Sequence, residues 1–192
     1  MSQFWATIRL PSISAAKLDF YVLHSNSAPL TIIGDDHNDI DSRALERLAP
    51  TSHRWRNLSV HVDDGLEGLD TIYQRIPLLE FLDLYSMYDN ATSTVIFQDA
   101  PSLHRVSVDA NILTRSSFDV MLPWHQLTFL TLDSLFVSLF SQFLRLCPQL
   151  LYFKAGIKYA PREPWGTVGM MKAHTSLHKL VLVSSSYNES SL

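Results

Sequence analysis

Short segments in which apolar and polar residues alternate recur along the chain at nearly constant intervals. In "RIPLLEFLDLY" a leucine anchor, Leu79, is followed by Leu82 and Leu84, and the same skeleton returns in "APSLHRVSVDA", "HQLTFLTLDS" and "CPQLLYFKAG". Successive residues of an extended strand point to opposite sides of a sheet. The pattern therefore predicts strands in which Leu82, Leu84 and their counterparts face a core while the residues between them face outward.

The spacing of the anchors is typical of leucine-rich repeats. Successive leucine anchors are 24, 24, 23 and 27 residues apart, and Trp55 precedes the first of them by 24 residues. The leucine anchors are Leu79, Leu103, Leu127, Leu150 and Leu177. Two weaker copies, "SAPLTII" and "WATIRL", extend the series upstream to eight copies. Leucine-rich repeats have a period of roughly 20–29 residues, and connections of this length allow the next strand to lie parallel to the last.

We therefore predict an α/β fold: a single leucine-rich-repeat domain over residues 1–192, built as a solenoid of about eight short parallel strands. The predicted strand cores lie near residues 5–10, 27–33, 55–62, 79–85, 103–109, 127–133, 150–156 and 177–183. The helical spacing of apolar residues predicts return helices over 41–49, 66–76 and 139–147, whereas the returns at 92–100 and 114–122 have no such period. Because one repeat cannot bury its apolar side alone, neighbouring repeats are expected to share one continuous core.

Composition and charge narrow the functional classes. The 192 residues are 46% hydrophobic and 18% charged with a net charge of −4, so the chain is too apolar to be disordered. It also lacks the basic excess of a nucleic-acid-binding protein, and we expect no nucleic-acid partner. The longest apolar run, "LFVSLFSQFL", is short and interrupted by polar residues, so we expect no membrane partner. The single cysteine, Cys147, lies in an apolar segment, which predicts a buried, unreactive thiol and a cytoplasmic or nuclear location.

A succession of distinctive segments runs through the chain: "FWATIRL", "SHRWRNLSV", "RIPLLEFLDL", "APSLHRVSV", "LPWHQLTFLTL" and "LCPQLLYF". In this order they resemble the leucine-rich-repeat region of fungal F-box proteins of the basidiomycete type. The resemblance implies the substrate-receptor part of a ubiquitin-ligase subunit. In that family an N-terminal F-box binds the adaptor of a cullin-RING ligase, and the repeats recruit a degradation target.

The F-box itself is not present in this sequence, because only Met1, Ser2 and Gln3 precede "FWATIRL". We expect a protein partner or degradation target, and binding to the ligase adaptor only if an F-box is encoded upstream. The alternative is a free-standing leucine-rich-repeat adaptor or decoy without ligase association.

The outward-facing strand positions are the candidate partner-binding residues. Exposed aromatic side chains beside arginine are the anchors that protein-binding surfaces use most. The predicted binding residues are Phe81, Asp83, Tyr85, Arg105, Asp109, Phe129, Asp133, Tyr152 and Lys154. The alternative is an ordinary solvated sheet surface on which Phe81 and Phe129 cover one another.

No segment carries a catalytic or metal-binding signature. The run "GDDHNDIDS" over 34–42 crowds carboxylates, but Ile40 occupies a ligand position and no glutamate closes the loop. A solvated loop in which Asp41 caps the following helix accounts for this run better than a calcium site does. Serine-hydrolase, Walker and dinucleotide-binding glycine motifs are absent. We expect no catalytic residue, metal or cofactor, and an enzyme of unknown type is the most distant alternative.

Overall fold

The chain forms a single sheet of eight parallel strands in which each strand pairs with the next one along the sequence. This architecture comes from a computed structural model that describes residues 2–10, 13–34, 42–61, 76–85, 97–109, 122–158 and 176–184. The strands are β1 (Thr7–Arg9), β2 (Leu30–Ile33), β3 (Trp55–His61), β4 (Phe81–Tyr85), β5 (Arg105–Asp109), β6 (Phe129–Phe136), β7 (Tyr152–Lys158) and β8 (Lys179–Ser184). The prediction of an α/β fold with eight short parallel strands is confirmed. Strands β6 and β7 continue three and two residues beyond the predicted ends.

Three α-helices lie between the strands in the described parts of the chain: α1 (Ala15–Ser25), α2 (Ser42–Leu48) and α3 (Val137–Leu146). Short 3-10 helices cover Ser2–Trp5, Ala49–Arg54 and Trp124–Gln126. Helix α1 begins after Ser14, whose Oγ accepts a hydrogen bond from the Lys17 backbone N–H, as an N-cap does. Helices α2 and α3 confirm two predicted return helices. The third predicted helix, 66–76, and the irregular returns at 92–100 and 114–122 lie largely outside the described residues.

A column of apolar side chains from adjacent strands forms the centre of the core. The strand register places seven of them in succession, and each is at most 1% exposed. They are Ile8, Ile32, Leu58, Leu82, Val106, Leu130 and Phe153. The column ends at Leu180 of β8, which is 45% exposed. All seven belong to one cluster of buried side chains, so the core extends continuously from β1 to β7.

The anchors before the strands sit in nearly identical turns. In four of them the anchor N–H donates to the carbonyl three residues earlier at 3.1–3.2 Å. These pairs are Leu79 with Ile76, Leu103 with Ala100, Leu127 with Trp124, and Leu150 with Cys147. Proline occupies the second position of three of these turns, where its fixed φ suits a β-turn. The turns therefore place each buried anchor at the same point ahead of its strand.

Side chains satisfy turn carbonyls across neighbouring repeats. The Arg54 guanidinium donates to the Ala28 carbonyl from two nitrogens, at 3.1 and 2.9 Å, and to Ser25 Oγ at 2.7 Å. Partial burial lowers the pKa of Arg54, because the charged form is desolvated. Gln126, which precedes β6, makes equivalent contacts with the turn that precedes β5: its Nε2 donates hydrogen bonds to the carbonyls of Ala100 and Leu103. Each of these contacts ties one return segment to the next.

A β-bulge interrupts the register between β6 and β7. Leu132 pairs with Ala155, but Leu135 pairs with Ile157, so β6 holds one residue more than β7 in this stretch. Ser134 takes up the extra residue with a left-handed φ of 63°. A Cβ on Gly156 would lie 3.4 Å from the Ser134 backbone nitrogen, which is an ordinary van der Waals contact, so the bulge leaves room for a small side chain here.

Of the helices that the structure describes, none is both long and apolar enough to cross a membrane.

Candidate functional site

The face of the sheet opposite the core, called the open face below, presents outward side chains in straight columns. The register of six strands aligns a first column, and it aligns a second column two residues further along each strand. The first column contains Asn57, Phe81, Arg105, Phe129, Tyr152 and Lys179. The second contains Ser59, Asp83, Ser107, Thr131, Lys154 and Val181. Both columns consist of the outward-facing strand positions that the alternation of apolar and polar residues predicts.

Five neighbouring members of the first column stack on one another and form what we call the cation–aromatic column: Phe81, Arg105, Phe129, Tyr152 and Lys179. The Arg105 Cζ lies 5.7 Å from the ring centroid of Phe81 and 4.8 Å from that of Phe129. The Phe129 and Tyr152 rings stack at 3.9 Å between centroids, with only 9° between their planes. The Lys179 Nζ lies 5.6 Å from the Tyr152 centroid. Cations and rings thus follow one another across five adjacent strands.

These contacts hold the side chains in place. A cation–π contact at an exposed site contributes about 0.5–1 kcal/mol, and an aromatic pair about 0.5–1.5 kcal/mol beyond its buried area. Phe81, Phe129 and Tyr152 are half-buried, whereas Arg105 and Lys179 are exposed. The column is therefore an ordered surface whose charged groups remain accessible.

The expected alternative in which Phe81 and Phe129 cover one another is wrong. These residues belong to β4 and β6, and Arg105 of β5 lies between their rings. The physical reason is the sheet spacing: strands two apart are separated by about 9–10 Å, which is too far for two rings to meet but leaves room for a guanidinium.

The second column is more polar and is partly cross-linked. Ser59 Oγ donates to Asp83 Oδ2 at 3.0 Å, which orients that carboxylate along the column. Lys154 is half-buried on β7, next to Tyr152 in sequence. Positive charge thus lies toward β5–β8, whereas Asp83 lies on β4.

A third group of predicted residues lies two positions beyond the second column on each strand, and the structure exposes its members unevenly. Tyr85 is 44% exposed and contacts the His61 ring edge-to-face at 4.8 Å. Asp133 is exposed beside the bulge. Asp109 is only 6% exposed, so little of its side chain is accessible, and its contact with a partner stays a prediction. Strand alternation fixes the side of the sheet on which Asp109 lies, but its depth depends on the residues around the end of β5.

Two open hollows lie on this face. One has a volume of about 340 Å³ and is lined by Ser59, Asp83, Tyr85 and Asp133 among others. The other, of about 440 Å³, is lined by Thr31, Asn57, Phe81 and Arg105 among others. The second hollow therefore adjoins the β4 end of the cation–aromatic column.

The positive charges of the open face are separate from two ion pairs within the described residues. Those pairs join Arg47 to Asp19 at 2.7 Å and Arg56 to Glu80 at 2.9 Å. The hydrogen bond and the charge of Glu80 raise the pKa of Arg56. Arg105, Lys154 and Lys179 take part in neither pair. Arg105 and Lys179 are exposed and Lys154 is half-buried.

In the parts of the chain that the structure describes, no group of three or more His, Cys, Asp or Glu side chains could hold a metal ion. The carboxylate-rich run over 34–42, with the expected helix cap Asp41, falls mostly outside those residues. Cys147 is fully buried, as predicted, and burial raises the pKa of its thiol to about 12. Since the thiolate is the reactive form, this cysteine is unreactive at neutral pH.

The shifted pKa of Cys147 predicts a loss of stability at high pH. The ordinary pKa is 9.0 and the folded value about 12, so between these values the unfolded chain loses a proton that the folded chain keeps. The unfolded state then binds fewer protons, and the free energy of unfolding falls as pH rises, by about 1.4 kcal/mol between about pH 8 and pH 10. Urea denaturation of the native protein and of Cys147→Ala measures this contribution. Between about pH 8 and pH 10, the free energy of unfolding of the native protein is expected to fall by about 1.4 kcal/mol more than that of Cys147→Ala. An equal fall in both proteins would contradict the raised pKa of the Cys147 thiol.

One member of the cation–aromatic column lies outside the predicted set of binding residues. Lys179 was not among the predicted binding residues, although it completes the cation–aromatic column through Tyr152. The signal was available, because Lys179 stands two residues after the anchor Leu177, as Tyr152 does after Leu150 and Arg105 after Leu103.

Comparison with known proteins assigns no family to this chain. A scan against protein-family models and a search of curated proteins both found no match. The resemblance to the repeat region of F-box proteins therefore stays a prediction from the sequence.

Proposed function

We propose that this chain is a protein-recognition module that binds its partner on the open face of the sheet. The observation that carries the proposal is the cation–aromatic column, in which half-buried rings and accessible cations occupy adjacent strands in register. Aromatic residues and arginine dominate the energetics of protein interfaces. The stacking within the column lowers the entropy cost of ordering these side chains on binding.

The fold in this proposal is a leucine-rich-repeat solenoid. Sequential parallel strands, anchors about one repeat apart and closely similar turns at four anchors support it. In such an array each repeat contacts only its neighbours, and the strands together create an extended binding surface. The resemblance adds the role of substrate receptor of a ubiquitin ligase acting in the cytoplasm or nucleus.

The ligase role and the free-standing adaptor predict different transcripts. An in-frame F-box encoded upstream of Met1 supports the receptor of a ubiquitin ligase. A message whose coding region starts at Met1 supports the adaptor or decoy. Mapping the 5′ end of the transcript distinguishes them, and recognition through the open face is common to both.

Replacing three open-face aromatics together is expected to abolish partner capture without unfolding the protein. The variant carries Phe81→Ser, Tyr85→Ser and Phe129→Ser, and it removes ring surface that is half-buried or exposed in the free chain. Affinity capture from an extract of the encoding organism, followed by quantitative mass spectrometry, measures which proteins are lost. Circular dichroism and thermal melting show whether the variant still folds.

A matched control removes three exposed leucines that lie off the open face. Leu23, Leu78 and Leu151 are 75%, 44% and 43% exposed, and their replacement by serine is expected to leave specific capture unchanged. Proteins retained by the native chain and by this control, but lost by the aromatic variant, support the proposal. Retention of the same proteins by both variants would refute it.

A further inference from the structure

The two central rings of the cation–aromatic column, Phe129 and Tyr152, have neighbours on both faces. Phe129 and Tyr152 stack on each other along the direction that joins the strands, so their edges point away from the sheet. The outer face of Phe129 lies toward Arg105, and that of Tyr152 toward Lys179. An aromatic ring is negative on its faces and positive around its edge. The column therefore presents a positive surface to an incoming partner even at its rings.

The guanidinium of Arg105 is well placed to bind a carboxylate. Rings on both sides restrain its position, at 5.7 and 4.8 Å from Cζ. The N–H groups of a guanidinium lie in its plane, in a fork that matches a carboxylate with two parallel hydrogen bonds. Since Arg105 is exposed and has no partner in the ion pairs of the described residues, this fork is available on the open face.

Two further cations lie at a defined distance from Arg105. Lys154 is on β7 and Lys179 on β8, and both face the same side of the sheet as Arg105 on β5. Adjacent strands are about 4.8 Å apart, so Arg105 and Lys179 are separated by about 14 Å across three strand intervals. Phe129 and Tyr152 fill the space between them. The chain as a whole carries a net charge of −4, so this concentration of positive charge is local.

We propose that the open face binds an extended acidic segment of a partner protein, with carboxylates at positions i and i+4 and an apolar residue at i+2. This inference rests on the proposed function and specifies the chemistry of the partner. An extended chain advances about 3.3 Å per residue, so positions i and i+4 are about 13 Å apart and point to the same side. The first carboxylate binds Arg105, the second binds Lys179 and Lys154, and the apolar side chain covers the edges of Phe129 and Tyr152.

The acidic residues of the open face limit where this segment lies. Asp83 on β4 and Asp133, beside the bulge of β6, repel carboxylates. The segment is thereby confined to the first and second columns of β5–β8, and it crosses the strands rather than running beside them.

The test uses two fluorescent peptides and the native chain. The acidic probe is Gly-Ser-Glu-Ser-Leu-Ser-Glu-Ser-Gly, and the control replaces both glutamates with lysine. Fluorescence anisotropy at low ionic strength is expected to show binding of the acidic probe and none of the lysine control. Arg105→Gln is expected to lower the affinity for the acidic probe by about ten-fold or more, which is the effect of losing a charge-assisted pair of hydrogen bonds. Arg145→Gln, which removes an exposed arginine from α3, is expected to change the affinity by less than about two-fold.

Each other outcome overturns the inference. Absence of acidic-probe binding up to about 1 mM, a concentration that detects even weak complexes, excludes this recognition mode. Equal weakening by Arg105→Gln and Arg145→Gln indicates attraction by net charge alone. Tighter, Arg105-dependent binding of a short thymidine oligonucleotide indicates a nucleic-acid surface instead. If the acidic probe does not bind but the aromatic triple variant loses its protein partner, the proposed function stands without this inference. If the acidic probe does not bind and the triple variant keeps its partner, neither stands.

Discussion

Leu130→Ala is expected to lower the free energy of unfolding by about 2–5 kcal/mol, which is the range for truncating a buried leucine. Leu130 is fully buried in the central core column, between Val106 and Phe153. Its removal leaves a cavity that borders two neighbouring strands, because both contribute side chains to the same part of the core. Leu82→Ala, between Leu58 and Val106, is expected to behave in the same way. Urea denaturation followed by circular dichroism measures both effects.

The adjacent residue provides the control for Leu130. Thr131 follows it on β6 but points to the open face, where it is half-buried. Thr131→Ala is expected to change stability by no more than about 0.5–1 kcal/mol. If Leu130→Ala melted like the native protein, or if Thr131→Ala were the more damaging change, the assignment of the two faces of β6 would be wrong.

Trp55→Ala is expected to cost about 3–5 kcal/mol, the range for truncating a buried aromatic side chain. Trp55 is fully buried at the start of β3, where it occupies the place that leucine anchors take elsewhere. Its indole Nε1–H also donates to Thr51 Oγ1 at 3.0 Å. The loss therefore combines a large cavity with a hydroxyl group that no longer receives this hydrogen bond.

Two milder variants separate these contributions. Trp55→Phe keeps much of the ring volume but removes the N–H donor. Thr51→Val preserves the side-chain shape but removes the acceptor, together with the hydrogen bond that Thr51 Oγ1 donates to the Leu48 carbonyl at 2.7 Å. The hydrogen bond alone is expected to contribute about 0.5–1.5 kcal/mol. Chemical denaturation of the single and double variants gives the coupling energy of the pair. If Trp55→Ala cost no more than Trp55→Phe, packing at the anchor would not be the main contribution.

The sequence predicted the strands and the two faces of the sheet because both depend on local pattern. Alternation within a segment such as Phe81–Tyr85 fixes which side chains enter the core, since successive residues of any strand point to opposite sides. The near-constant anchor spacing then aligns equivalent positions of neighbouring strands. The alignment of Phe81, Arg105 and Phe129 in one column follows from these two regularities alone.

The details that the sequence did not predict depend on contacts between distant residues. Asp109 follows the alternation but is buried, because depth at a strand end depends on neighbouring segments. The extra residue at Ser134 breaks the register with β7, and no local composition distinguishes it from a regular strand. To predict that Arg105 lies between two rings, the strand spacing is needed as well as the residue identities.

Site-specific photo-crosslinking tests the central claim that the open face is the partner-binding surface. A photoreactive amino acid replaces Ser107, in the second column between Asp83 and Thr131, or Glu46, which is exposed on α2 away from this face. Irradiation in cell extract is expected to yield a discrete partner adduct from position 107 and none from position 46. The adduct should disappear in the aromatic triple variant. An adduct formed equally from both positions, or only from position 46, would contradict recognition through the open face.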